Sequence, residues 1–260
     1  MRACMLFFGT LLLGGCALTP TEELVSSGEV VRDLARESGV AVPVARFSQY
    51  SVGEALPPYW EPMIVLPSKP RTRYQLERRD GTVALQALAD QSASGKVRRI
   101  RIDPSSHSTV EWRWRVNALI PGADKRRASG EDSPARLILS FHGDPTKLDF
   151  ETRTQLRFAK ALSGRALPYA TLMYVWSNTH PVGTVLENPH ISRVKMIVVE
   201  SGAAGLGQWR SYRRNVLADY RQAFGEEPWD LVAVGMMTDT DNTGQSAHSY
   251  YGDVTFHRGL

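Results

Sequence analysis

The stretch Asp239-Thr240-Asp241-Asn242-Thr243-Gly244 carries oxygen side chains at alternate positions and a glycine at the sixth. A hard cation wants several oxygens around a sharp turn, and calcium loops are built this way. Tyr250 stands at position twelve, where an EF-hand needs a bidentate glutamate, and a strand pattern precedes the loop, so an EF-hand is excluded. Three readings remain open: a different calcium site at Asp239 and Asp241, a polar ligand loop that includes Asn242, or an Asx-turn bonding its own backbone. Glu131-Asp132 precedes another strand pattern. Asp132 with Asp239 or Asp241 would supply the acid/base pair that glycoside cleavage needs. Arg136 lies on the strand face opposite Leu137, Leu139 and Phe141, where it could anchor Asp132 or Asp239. A purely structural salt bridge would have the same sequence signature.

Six tryptophans offer faces for sugar stacking, with the indole N–H as a donor. Trp112 and Trp114 share an apolar strand face with Val110 and Val116 and read as core. Trp176 ends a strand beside Ser177-Asn178-Thr179-His180 and is the ligand candidate among them, while Trp209 and Trp229 lie at element edges. The histidines are scattered, without HExxH or HxH spacing, which argues against a catalytic zinc site. GxSxG and the P-loop are absent, and Gly202 to Gly207 reads GxxGxG without a βαβ context, the wrong order for a dinucleotide site. Basic clusters such as Arg98/Arg99/Arg101 and Lys125/Arg126/Arg127 read as solvated edges and loops, or as contacts to anionic lipid or envelope glycan.

These residues are positioned by short strands. Tyr74 to Glu77 and Val83 to Leu88 flank Asp80-Gly81, a strong hairpin signal. Val110 to Val116 alternates apolar and charged residues, and Arg136 to Phe141 repeats the pattern. Val97 to Ile102, Thr171 to Trp176, Arg193 to Val199, Leu231 to Met237 and Ser249 to Phe256 add further strands. Helical spacing covers Thr19 to Ser38, Phe150 to Leu162 and Tyr212 to Phe224, the last ending at Gly225. About ten strands with two or three short helices predict a mainly β fold, a jelly-roll-like antiparallel β-sandwich.

The chain has 260 residues, 42% hydrophobic and 22% charged, with net charge +4. That composition excludes wholesale disorder and a polytopic membrane protein. The charge is too modest for a dedicated nucleic-acid binder. Residues 1–15 read as a lipoprotein signal peptide: Arg2, a short apolar run, then Leu13-Gly14-Gly15-Cys16, which resembles a lipobox. Cys16 is the expected lipidation site, and Ala17 after it resembles an outer-membrane sorting signal. Cys4 leaves with the leader, so no disulfide is expected in the mature chain. Residues 16–42 then form the lipidated cysteine and a short helical tether, and residues 43–260 a single domain.

The runs WRWRV at 112–116, GEDSPARLILSF at 130–141, YVW at 174–176, NVLADYRQAFG at 215–225 and VAVGMMTDTDNTGQSAHSYYGDVTF at 232–256 resemble the domain-of-unknown-function family 3047. The segment around Phe47 and Leu56-Pro57-Pro58-Tyr59-Trp60 fits as well. The closing Asp253-Val254-Thr255-Phe256 is similar to the last strand of jelly-roll carbohydrate-binding modules. The resemblance covers roughly residues 45–258 and implies no activity of its own. Three functions are carried forward. The first is a lipid-anchored envelope protein, at the outer membrane facing the periplasm, whose sandwich binds a glycan or other polar ligand through Asp132, Arg136, Trp176, Asp239, Asp241 and Asn242. The second is a glycan-active hydrolase or lyase using Asp132 with Asp239 or Asp241. The third is an assembly lipoprotein with a protein partner. No cofactor beyond a possible calcium ion, and no nucleic acid, is expected.

Overall fold

Asp80 and Gly81 both adopt positive φ, at 49° and 81°. That backbone matches the twist of a tight hairpin, and it joins strands β3 (Arg73–Arg79) and β4 (Thr82–Asp90) in antiparallel register. The computed structural model describes residues 41–259. The expected signal peptide, Cys16 and the Thr19 to Ser38 helix lie outside the described residues.

Two sheets form the sandwich. One contains β11 (Trp209–Asn215), β6 (Thr109–Val116), β13 (Ser246–His257), β4 and β3 in that order. β1 (Ala41–Ala45) also pairs with β13. The long β13 is shared lengthwise: Ser246 to Tyr251 pair with β4, and Val254 to His257 pair with β1. β1 is the first strand among the described residues. The second sheet runs β2 (Trp60–Ile64), β5 (Ala93–Ile102), β12 (Leu231–Asp239), β7 (Ser133–Phe141), β8 (Ala170–Ser177), β10 (Val194–Ser201) and β9 (Val185–Glu187). Among the described residues only β8 and β10 are parallel neighbours.

The core lies between the sheets. From β6, Val110, Trp112, Trp114 and Val116 all point inward and are buried, as their alternation predicts. Trp112 stacks on Tyr174 of the facing sheet at 4.8 Å between ring centroids and on Tyr212 at 5.0 Å. Such aromatic pairs contribute about 0.5–1.5 kcal/mol beyond the area they bury. Tyr212 therefore belongs to strand β11 instead of the helix predicted from it. That helix, α2 (Val216–Phe224), starts only where the Asn215 side chain accepts the Ala218 amide at 2.9 Å. The mistake has a physical cause: Tyr212, Val216, Tyr220 and Phe224 share helical spacing, but Tyr212 is claimed by the tryptophans across the ladder.

The other helix is α1 (Phe150–Ser163), which the spacing predicts closely. Asp149 caps its start and Gly164, at φ 74°, ends it. On the outer face of the second sheet, Gly95 and Gly235 leave room for the Met63 side chain to lie across β5 and β12. A Cβ on Gly95 would come within 2.5 Å of the Met63 methyl. Met63, Met173, Ile138 and Met237 make a small apolar layer there.

Candidate functional site

Period two decides where Arg136 points. Leu137, Leu139 and Phe141 take the core side of β7, so Arg136 and Ile138 face outward. Yet Arg136 is only 2% exposed, because the 117–132 loop between β6 and β7 folds over it. Its guanidinium is fully engaged. Nε donates to Asp239 Oδ1 at 2.9 Å and Nη2 to Asp239 Oδ2 at 2.8 Å, a bidentate pair. Nη1 donates to Glu131 Oε1 at 2.6 Å, and Nη2 also donates to the Glu131 carbonyl. Asp239 Oδ1 accepts the Ser133 amide as well, at 3.0 Å. Next to it, Tyr251 donates its hydroxyl to the Met237 carbonyl at 2.6 Å and accepts the Arg136 amide at 3.3 Å.

Asp132 fastens a second loop. Its carboxylate accepts the Asn242 amide at 3.2 Å, the Thr243 amide at 2.7 Å and the Thr243 hydroxyl at 2.6 Å. The carboxylate that bonds the backbone of the acidic stretch is thus not one of its own side chains, as an Asx-turn would have it, but Asp132 from the end of the 117–132 loop. Asp241 pairs instead with Lys69 at 3.0 Å. Lys125 is 1% exposed and donates to the Asp132 carbonyl oxygen. Its sequence neighbourhood reads as a solvated basic cluster, and the structure corrects that for Lys125. Arg126 and Arg127, by contrast, stay exposed.

Charge and burial set the protonation. Burial pushes the Lys125 ammonium down to about 8, and the Arg136 charge adds to the effect. Burial raises the Asp239 carboxyl to about 7 against the pull of Arg136. In the unfolded chain Lys125 would hold its proton up to its ordinary value of 10.5. Between these two values the unfolded state binds the extra proton, so this residue makes stability rise with pH. The midpoint of thermal unfolding is therefore expected to climb from about pH 8 to pH 9.5, and Lys125→Met should remove the climb. A flat profile in the unmodified chain would count against a Lys125 ammonium lowered by burial.

The structure brings Asp132, Arg136, Asp239, Asp241 and Asn242 together, but as a closed polar network. Oxygens of Asp132, Asp239 and Asp241 lie within 4.8 Å of one another. Calcium does not fit them as they stand. Arg136, Lys125 and Lys69 already neutralise the cluster, and an ion would have to displace the bidentate pair and the amides at 242 and 243. The same closure keeps substrate from the proposed acid/base carboxylates, since Asp132 and Asp239 are both buried. Trp176 is fully buried in the core, with its indole donating to the Gly202 carbonyl at 3.0 Å. It cannot stack on a sugar from solvent. Strand alternation explains this: Leu172, Tyr174 and Trp176 share the inner face of β8.

What the network holds is more accessible. The 117–132 loop is also tied by the Asn178 side-chain Nδ2, which donates to the Ile120 carbonyl at 2.6 Å, and by His180 to Asp124 at 3.1 Å. The Arg126 amide and His180 hold the Asp124 carboxyl below its ordinary range. Between this loop and β9 with the two residues after it lies an open hollow of about 330 Å³, lined by Arg126, Val185, Leu186, Glu187, Asn188 and Pro189. Sequence reading missed it. Residues 185–189 carry no chemical motif, and the three-residue strand β9 is too short to show a period.

The family model described as a protein of unknown function, DUF3047, matches residues 58–255. The chain belongs to the DUF3047 family. No curated protein matches it. Solved structures similar to it include the K2 cleaved adhesin domain of Lys-gingipain, at 9% identity and TM-score 0.37, with 83% of this chain and 98% of that one covered. Endoglucanase 3 of Trichoderma harzianum, from family GH12, shares 9% identity at TM-score 0.36, over 79% and 100% of the two chains. The glycoside hydrolase domain of Endo-D from Streptococcus pneumoniae R6 shares 8% identity at TM-score 0.32, over 76% of this chain. This chain spans about a fifth, 21%, of that last structure. These likenesses are distant, and the sandwich architecture of this DUF3047 protein rests on its own strand order.

Proposed function

We propose that this DUF3047 protein is a non-catalytic binding protein of the cell envelope, held to a membrane by lipid on Cys16 and facing the periplasm from the outer membrane. Its ligand is a glycan or another polar molecule, taken at the hollow lined by Arg126, Glu187 and Asn188. The observation that carries the reading is the pair Lys125 and Arg126. Lys125 turns inward and ties the loop to the buried network, which leaves Arg126 exposed over the hollow. The Arg126 fork of donors and the Asn188 side-chain NH2 suit a hydroxyl-rich or anionic ligand, while Glu187 pairs with Lys195 and the Asn188 oxygen accepts the His190 and Ile191 amides. The network of buried acids then serves to hold the loop, and the ligand contacts sit one residue further out.

The test is thermal unfolding of the full chain with a panel of envelope glycans, for the unmodified protein and for Arg126→Ala. A ligand at ~100 times its Kd stabilises by about 2.7 kcal/mol. That is roughly 5–10 °C for a domain of this size. The expected result is a shift with one glycan that Arg126→Ala loses, with the ligand-free midpoint unchanged. An equal shift in both chains would reject the hollow, and release of a cleaved product would reject the non-catalytic reading. Mass measurement of the mature chain checks the lipid on Cys16 separately.

A further inference from the structure

We propose that α1 is a membrane-contact surface, lying flat on an anionic bilayer. The helix has two apolar sides. Thr152, Leu156 and Ala159 turn toward the protein, while Phe150, Phe158 and Leu162 turn away from it. These three are 75%, 64% and 50% exposed, and they include the two most exposed large apolar side chains among the described residues. At 100° per residue, Phe150, Thr154, Phe158, Ala161 and Leu162 form one outward stripe. A shallow apolar depression between Phe150 and Phe158 continues it.

The flank of that stripe is basic. Arg153, Arg157 and Lys160 follow one another along it, and Arg165 comes just after the helix end. Against them the helix carries a single acid, Glu151. Among the described residues no salt bridge occupies Arg153, Arg157 or Lys160. An aromatic stripe bordered by unpaired cations matches the boundary between acyl chains and anionic headgroups. A protein partner would need matching acids and an apolar socket, whereas a bilayer offers both chemistries in one plane. The helix has 14 residues, and no described helix is long and apolar enough to cross a membrane, so the contact is in-plane.

This inference goes beyond the proposed function and needs neither the glycan nor the lipid. It would give a tethered domain a fixed orientation, with α1 toward the bilayer.

The experiment uses the full chain with Cys4→Ser and Cys16→Ser, so that one introduced cysteine carries an environment-sensitive dye. Thr154→Cys places the dye on α1, and Ser211→Cys places it on the exposed edge strand β11 of the other sheet. Vesicles of phosphatidylcholine, with or without phosphatidylglycerol, carry a lipid-borne quencher. The expected result is quenching at position 154 on phosphatidylglycerol vesicles and none at 211. Each cation near an anionic surface contributes about fivefold in partitioning, so Arg153→Gln, Arg157→Gln and Lys160→Gln together should weaken it roughly 100-fold. Phe150→Ser with Phe158→Ser should abolish the quenching, with the unfolding midpoint unchanged. Equal quenching at both positions, none at 154, or self-association through α1 without vesicles would overturn the proposal. Because Cys16 is absent from this chain, failure of lipidation cannot produce any of these outcomes.

Discussion

Arg136→Met is expected to destabilise the domain by about 3–5 kcal/mol, because it leaves Asp239 and Glu131 buried without their cation. For a domain of this size that corresponds to a fall in unfolding midpoint of roughly 6–20 °C. The size of the effect comes from the charges left behind and not from the net value of the pair. A buried ion pair is often little better than apolar residues of the same volume. Combining Arg136→Met with Asp239→Asn should therefore recover part of the loss. The asparagine oxygen can still accept the Ser133 amide, and the methionine meets Met173 and Met196, which already border the guanidinium. A double-mutant cycle by chemical denaturation should return a coupling of about 2 kcal/mol or more. Additive losses would mean that the two side chains do not act as one unit.

Trp176→Ala is expected to cost about 3–5 kcal/mol, the range for emptying a large aromatic from a closed core. Trp176 is fully buried, its ring edge faces Gly205, and its indole N–H is satisfied within the fold. A stacking residue at a ligand surface would behave in the opposite way. Its loss would leave the midpoint in place and remove binding. Denaturant titration of the variant separates the two roles, since a midpoint within about 0.5 kcal/mol of the unmodified chain is the signature of an exposed side chain.

The parts of the fold legible in the sequence are those with a clean period. Trp112 and Trp114 are read correctly as core because charged residues alternate with them and leave one solution for the strand. Asp80-Gly81 is read correctly because only a hairpin turn places both residues at positive φ. Periodicity also points Arg136 away from the core, and of the two expected partners Asp239 does pair with it; the other carboxylate on the guanidinium is Glu131, whereas Asp132 turns to the amides of Asn242 and Thr243. What it cannot give is the depth of cover. The outward face of a strand is normally wet, and here the 117–132 loop roofs it. That roof turns an apparent surface site into an internal clamp. Lys125 is illegible for the same reason: three consecutive basic residues read as solvated, and only the loop's course sends the first of them inward. Trp176 misleads because a tryptophan beside a polar turn has the same local sequence whether its strand face is inner or outer.

Hydrogen exchange at the amides of Asn242 and Thr243, in the unmodified chain and in Asp132→Asn, tests most directly whether the acids serve the fold. Both amides donate to the Asp132 carboxylate. If that carboxylate closes the loop, both amides are protected, and Asp132→Asn should speed their exchange roughly 10- to 100-fold, the value of a hydrogen bond to a charged group. Amides at 242 and 243 that already exchange freely in the unmodified chain would contradict the closed network and return the carboxylates to solvent, where a ligand or a metal ion could reach them.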